Sequence, residues 1–386
     1  MSSVQEWLTQ AAQQRVRSGT VRITDACRNA QAHRGLLDLA SNDYLGLAGD
    51  PRLAAAASEA TRRFGTGARA SRVVTGTTAS HAEAEHELAT LTGQPSCLVF
   101  SSGYTANIGI LTALGDADTL LVSDAHVHAS LIDGARLSRS PVAICPHADL
   151  ESLDRLLRDR SQLRAVVVIE SIYSVLGDAA DIVRTAAICA EHDALLIVDE
   201  AHGIGVAGNG RGAVHAAGLA GAEHVVITAT LSKALGAQGG AVLGPNLLRE
   251  HLVSAARTFL FDTGLAPAAA AAAAEACRII TAEPQRVDGL HQVACRIAMA
   301  AGVDRAPGAV QSILIGSSSL ALTAAQQLQE QGVLVGCFRP PTVPDGISRL
   351  RLTARATVDP DRAARAATLA AAYANPRRSA PGLVAP

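Results

Sequence analysis

Lysine is almost missing from this 386-residue chain: of 33 basic side chains, Lys233 alone is lysine and every other is arginine. Aromatic residues are also scarce, at 3%, although the hydrophobic fraction is an ordinary 48%. Alanine fills the space instead, which suggests many closely packed helices. No excess of one charge exists either. A net charge of −2 leaves no electrostatic footprint for nucleic acid or an anionic membrane. No stretch is long and apolar enough to span a bilayer, the Ala-rich run at 266–274 being too short and weakly hydrophobic. The opening Met-Ser-Ser-Val-Gln-Glu-Trp7 lacks the basic start and apolar run of a signal peptide. Seven cysteines, an odd number with no CxxC pair, read as free thiols in a reducing cytoplasm. Length alone suits two or three domains.

The surviving lysine lies in Thr228-Ala-Thr-Leu-Ser-Lys-Ala-Leu-Gly236. Arginine can replace lysine on a solvated face, where a chance survivor would also be found. It cannot shed its proton and attack a carbonyl, because its pKa stays above about 12. An amine that must form a Schiff base therefore has no substitute.

From about Ser96 short apolar runs alternate with amphipathic helical stretches. The runs are Cys97 to Phe100, Thr119 to Val122, Val142 to Cys145, Ala165 to Ile169, Leu195 to Val198 and Val225 to Thr228. Uninterrupted runs suit strands buried on both faces. The alternation predicts an α/β fold with a mostly parallel sheet flanked by helices, its ligand at the carboxyl ends of the strands. The expected organisation is an N-terminal helix and arm over 1–42, a large domain over 43–258, and a smaller α/β domain over 259–386. Helices are expected at 266–283, 287–301, 317–331 and 360–374, strands near 310–315, 333–338 and 348–353, and a disordered tail from about 376.

Two motifs mislead. Gly203-Ile-Gly-Val-Ala-Gly208 matches GxGxxG, and Asp199-Glu-Ala-His202 spells a helicase box. A dinucleotide fingerprint needs its first glycine directly after a strand and a helix opening through the last. Here Asp199 to His202 intervene and Asn209-Gly-Arg-Gly212 follows. No GxxxxGK[ST] contains the sole lysine. What remains is an acid and an imidazole at a strand end, followed by a lysine after the next strand. An aldehyde cofactor with a basic ring nitrogen needs this pair: the amine forms the imine, and the carboxylate keeps the ring nitrogen protonated. Ser101-Ser-Gly-Tyr104 sits between a strand and a helix, where backbone N–H groups bind phosphate. Together these three features outline a pyridoxal phosphate (PLP) site. His126-Val-His128 has the spacing of a metal pair, but no third ligand is near in sequence.

The chain resembles the α-oxoamine synthase family of fold-type I PLP-dependent transferases. The likeness runs through Ser41-Asn-Asp-Tyr-Leu-Gly-Leu47, Ser71-Arg-Val-Val-Thr-Gly76, Phe100-Ser-Ser-Gly-Tyr-Thr-Ala-Asn107, His128-Ala-Ser-Leu131, Val198-Asp-Glu-Ala-His-Gly203, Thr230-Leu-Ser-Lys-Ala-Leu-Gly236, Phe261-Asp-Thr-Gly-Leu-Ala-Pro267, Gly336-Cys-Phe-Arg-Pro-Pro-Thr-Val-Pro344 and Arg349-Leu-Arg-Leu-Thr353. The resemblance implies that Lys233 holds PLP and acts as acid and base. It implies that Asp199 pairs with the pyridine nitrogen, His202 meets the ring hydroxyl and His128 stacks on the ring. Ser102, Gly103, Tyr104, Thr230 and Ser174 would line the cofactor, and Thr263 would reach the phosphate of a neighbouring subunit in a homodimer. Asn42 and one of Arg349 and Arg351, with Arg351 favoured, would hold the amino acid carboxylate bidentately. Either arginine could instead serve a structural ion pair. Arg22 and Thr342 are further substrate candidates.

The reaction implied is decarboxylative condensation of L-alanine with a pimeloyl thioester, on coenzyme A or an acyl carrier protein, toward biotin. Sister enzymes condense glycine or serine with other acyl-CoA substrates, and Arg339-Pro-Pro-Thr-Val-Pro344 argues against them. A non-catalytic partner subunit is disfavoured by the retained lysine, aspartate and histidines. Two places depart from the family pattern. Arg69-Ala70 replaces small residues before Ser71, where Ala70 resists φ > 0, and Leu176 stands where an acidic residue is usual.

Overall fold

The computed structural model describes residues 2–21 and 35–374. Arg22 and the tail expected from about 376 lie outside the described residues. Eleven described strands are β1 (Leu37–Leu39), β2 (Ser96–Phe100), β3 (Thr119–Asp124), β4 (Val142–Cys145), β5 (Arg164–Glu170), β6 (Ala194–Asp199), β7 (Val225–Thr230), β8 (Gly240–Gly244), β9 (Val310–Gly316), β10 (Val333–Phe338) and β11 (Ser348–Thr353). Seven form one sheet in the order β2-β8-β7-β6-β5-β3-β4. All neighbours are parallel except β8, which runs antiparallel to both β2 and β7.

Successive residues along a strand face opposite sides of a sheet, and here both sides are covered. Val167, Ile169, Leu196 and Val198 enter one packed cluster, while Val166, Val168 and Ile197 enter a second. This double burial is why the runs carry no polar alternation. The alanines act on the first face. Helix Pro267–Ala282 lies against helices Pro51–Phe64 and Ala79–Thr92, with Ala270, Ala273 and Ala274 fully buried. Methyl-sized side chains let these three helices approach closely.

A second sheet has the order β1-β10-β11-β9. Strand β1 is parallel to β10, with Leu37 opposite Val333. The segment just before the large sheet thereby joins the C-terminal layer instead of remaining irregular. That pairing places Asn42 and Tyr44, a few residues further on, at the junction between the two sheets. Helix Ser3–Arg17 forms as expected from the polar N-terminus, closed by a capping box between Ser2 and Gln5, and it buries none of its residues.

Candidate active site

Three parallel strands end in acids: Asp124 on β3, Glu170 on β5 and Asp199 on β6. Glu170 and Asp199 are register partners. Above these ends lies a cavity of ≈ 230 Å³, lined by residues including Ser102, Gly103, Tyr104, His128, Glu170, Ser174, Asp199, His202, Thr230 and Lys233. Residues from five separate strand ends thus meet at one place, as the carboxyl-end rule requires.

Lys233 reaches this cavity from the loop after β7. Its Nζ lies 2.8 Å from His202 Nε2, and His202 Nδ1 lies 2.6 Å from Tyr44 Oη. Burial pushes the Lys233 ammonium down from 10.5 to about 8, with Arg351 adding to the fall and Asp199 and Glu170 opposing it. Burial, the Lys233 charge and then Arg351 hold His202 well below its usual range, so its imidazole is neutral. The site therefore contains an amine that loses its proton near neutral pH.

Asp199 is buried and its carboxylate is oriented. Oδ2 accepts from Asn107 Nδ2 at 2.8 Å, and Oδ1 accepts from the Ala201 N–H at 2.8 Å. Asn107 Nδ2 also donates to Ser130 Oγ at 2.8 Å. His128 caps helix Ala129–Ser138, its Nδ1 accepting the Ser130 N–H at 3.2 Å, so its ring is fixed in orientation yet exposed to the cavity. His126 separates from it and stacks on His147, with ring centroids 3.9 Å apart.

At another wall Ser102 caps helix Gly103–Leu114, its side chain accepting the Thr105 N–H. The first N–H groups of that helix have no acceptor within it and, with the helix dipole, suit an anion. A Cβ on Gly103 would lie 3.1 Å from Thr230 Cβ, so glycine keeps this wall thin. Tyr104 Oη donates to Asp133, and Thr230 Oγ1 lies 3.2 Å from Ser232 Oγ. A carboxylate, a helix N-terminus and an amine around one space suit a ligand with a basic ring nitrogen, a phosphate and a carbonyl carbon.

The two candidate arginines separate. Arg349 makes paired bonds to Asp345, both at 2.8 Å, and is a structural ion pair. Arg351 is buried over the Phe338 ring, 4.5 Å from its centroid. It donates to Asn42 Oδ1 at 2.8 Å and to Ser174 O at 2.9 Å, which joins the two expected carboxylate ligands. The Ser174 turn is itself braced. Tyr173 N–H donates to Asp178 O at 2.8 Å, and His147 bridges Asp178 (2.7 Å) and Asp124 (2.9 Å). Those two carboxylates raise the His147 pKa to about 9.

Thr263 and Thr342 do not line this cavity. Both are exposed, and the Thr342 hydroxyl donates to Arg339 O at 2.7 Å. The backbone strain expected at Ala70 sits one residue earlier: Arg69 takes φ 68°, in the left-handed region.

Residues 34–368 match the aminotransferase class I and II family. An 8-amino-7-oxononanoate synthase of Mycolicibacterium smegmatis is 54% identical over 84% of this chain and 86% of its own length. The chain belongs to the 8-amino-7-oxononanoate synthase family. Among solved structures, the synthase from Francisella tularensis aligns with TM-score 0.75 at 26% identity, covering 88% of this chain and 97% of its own. A serine palmitoyltransferase from S. paucimobilis, holding a PLP–myriocin aldimine, aligns with TM-score 0.83 at 30% identity over 88% and 87%. The fold is thus that of fold-type I PLP enzymes.

Tyr44, Asn107 and Glu170 shape this site and were not singled out from the sequence. Tyr44 and Asn107 lie inside motifs carrying the resemblance, yet nothing in their spacing reveals a partner 158 or 92 residues away. Glu170 did carry a signal, since an acid directly after the run ending at Ile169 repeats the pattern that marked Asp199.

Proposed function

We propose that this protein condenses L-alanine with a pimeloyl thioester, releasing CO2 and the free thiol carrier and forming 8-amino-7-oxononanoate, with PLP as cofactor. The observation that carries the reading is the convergence of Lys233, Asp199, His128 and His202 on one cavity. Identity above half to a synthase of this name favours it over the serine palmitoyltransferase reaction, whose backbone likeness belongs to the shared fold.

Bound in the cavity, PLP would supply an electron sink for a carbanion at the amino acid Cα. Lys233 would hold the cofactor, take the Cα proton and return one after CO2 departs. Its pKa near 8 gives a usable fraction of free amine at neutral pH. Asp199, fixed by Asn107 and the Ala201 N–H, would hold the proton on the ring nitrogen. His202 would accept from the ring hydroxyl at Nε2, and His128 would lie on the ring face. Ser102, Gly103, Tyr104 and Thr230 would receive the phosphate, with Ser174 beside the ring. Arg351 and Asn42 would clamp the substrate carboxylate. Thr263, exposed on this chain, would complete the site of a second copy, making the working unit a homodimer, which we place in the cytoplasm.

The test is direct. Purified protein incubated with PLP should show visible absorbance that changes on titration with L-alanine and then pimeloyl-CoA. Thiol release should be greatest with alanine among alanine, glycine and serine. Lys233→Arg should lose both absorbance and turnover. Full activity in that variant, or a colourless wild type that never binds PLP, would sink the reading.

A further inference from the structure

We propose that Glu170 is a positioning residue for the proton on Lys233, its buried carboxyl setting when the amine becomes free. The proposal rests on the reading of Lys233 as the reactive amine, and it concerns a residue to which that reading gives no role. Glu170 closes β5 directly beside Asp199 and is 3% exposed. It lines the same cavity as Lys233. Its Oε2 accepts the Ser174 N–H at 3.2 Å, and the His128 N–H is a second donor toward this carboxylate.

The electrostatics agree. Burial first and Asp199 second push the Glu170 carboxyl up to about 8, against Lys233 and the N–H groups of Ser174 and His128. Two acids side by side beneath one amine resist being ionised together. Asp199 already accepts a hydrogen bond at each oxygen, and Glu170 is the member of the pair whose carboxyl is pushed up. Once Glu170 takes up a proton, Lys233 loses one of its two stabilising negative charges and releases its own proton more readily. Around the amine stand Asp199 and Glu170 as acids, Arg351 as a cation, and His202, His128 and Tyr44 as neutral groups. Of these, Glu170 is the group whose charge can change near the pH at which Lys233 titrates.

Because the chain has one lysine, ¹⁵N-lysine labelling gives a single side-chain nitrogen signal, and its titration reports Lys233 alone. The measurement uses the full chain without cofactor, so it is independent of turnover and of whether PLP binds. In the wild type the curve should spread over two steps, because the amine senses the neighbouring proton as well as its own. In Glu170→Gln, which preserves shape and the acceptor for Ser174, it should become a single one-proton step with its midpoint lowered by about 1 unit or more. A Glu170→Gln midpoint that is unchanged or raised would overturn the proposal. Should that variant not fold, the wild-type curve decides: two steps support the coupling, and one simple step overturns it. Failure of the PLP reading would appear separately, as a protein that never takes up the cofactor.

Discussion

Replacing Lys233 with methionine should stabilise the cofactor-free protein at neutral pH, and the gain should vanish in alkali. Methionine keeps most of the length and the unbranched apolar stem of lysine while removing the charge. The Lys233 pKa falls from 10.5 to about 8 on folding, and at 1.36 kcal/mol per unit this is a cost of roughly 3 kcal/mol for keeping the ammonium in place. The sign follows from proton counting. Below pH 8 the lysine is protonated both folded and unfolded, and the cost is fully present. Between about 8 and 10.5 the unfolded chain binds more protons, so wild-type stability rises with pH. Above 10.5 the amine is neutral in both states and the cost is gone. Methionine also leaves His202 Nε2 without its partner, which costs about 1 kcal/mol at any pH. The net expectation is a variant about 2 kcal/mol more stable at pH 7, with the gap closing or reversing at pH 10. Urea unfolding at matched protein concentration, compared at the two pH values, measures this. A gap that does not change with pH, or a variant less stable at pH 7, would refute the claim that this cavity holds its amine at an energetic cost.

Three other outcomes follow from particular contacts. Arg351→Lys should raise KM for the amino acid by roughly 10–100-fold, because an ammonium cannot reproduce the bidentate fork. Its PLP-bound spectrum should be unchanged. Arg349→Lys, which touches only Asp345, Ile347 and its strand neighbours, should leave that KM within about threefold while lowering stability by about 1 kcal/mol. His147→Gln should destabilise the protein by roughly 2 kcal/mol at pH 6, since a histidine raised from 6.5 to about 9 stabilises fully below pH 6.5 and loses this effect as pH climbs through 9. A chemical-denaturation difference that persists unchanged at pH 10 would contradict that assignment.

The parallel strands were legible because burial on both faces writes itself as unbroken apolar runs. Their limits moved by two residues or fewer. Two strands were not legible, for different reasons. Gly240–Gly244 follows β7 with no helix between, so the strand–helix rhythm offers no slot for it. Its glycine start comes from packing, since a Cβ on Gly240 would lie 2.2 Å from Ser102 O. Leu37–Leu39 is three residues long and is defined by Val333 to Val335, nearly three hundred positions away. The site divides along the same line. Lys233, Asp199, His202 and Ser102 could be read because each stands at, or within three residues of, a strand's carboxyl end. The choice between Arg349 and Arg351 could not, because it depends on Asp345 turning back onto one of them.

What the lysine needs is carried by residues that no local pattern joins. A continuous hydrogen-bonded path runs from Lys233 through His202, Tyr44, Asn42, Arg351 and Ser174 to Glu170. Its direction follows from one atom. Asn42 Oδ1 can only accept, so Tyr44 O–H at 3.3 Å and Arg351 Nη2 at 2.8 Å both donate to it. Tyr44 oxygen is then left to accept Nδ1–H from neutral His202, whose Nε2 lone pair faces Lys233 Nζ. Every link places a donor against an acceptor, so His202 orients the amine without competing for its charge. The path also crosses from the large sheet to β11 and back, through an asparagine positioned by the pairing of β1 with β10. The two ends of the proposed reaction, proton transfer at Lys233 and carboxylate capture at Arg351, are therefore held in one frame, and a shift of the small sheet would disturb both.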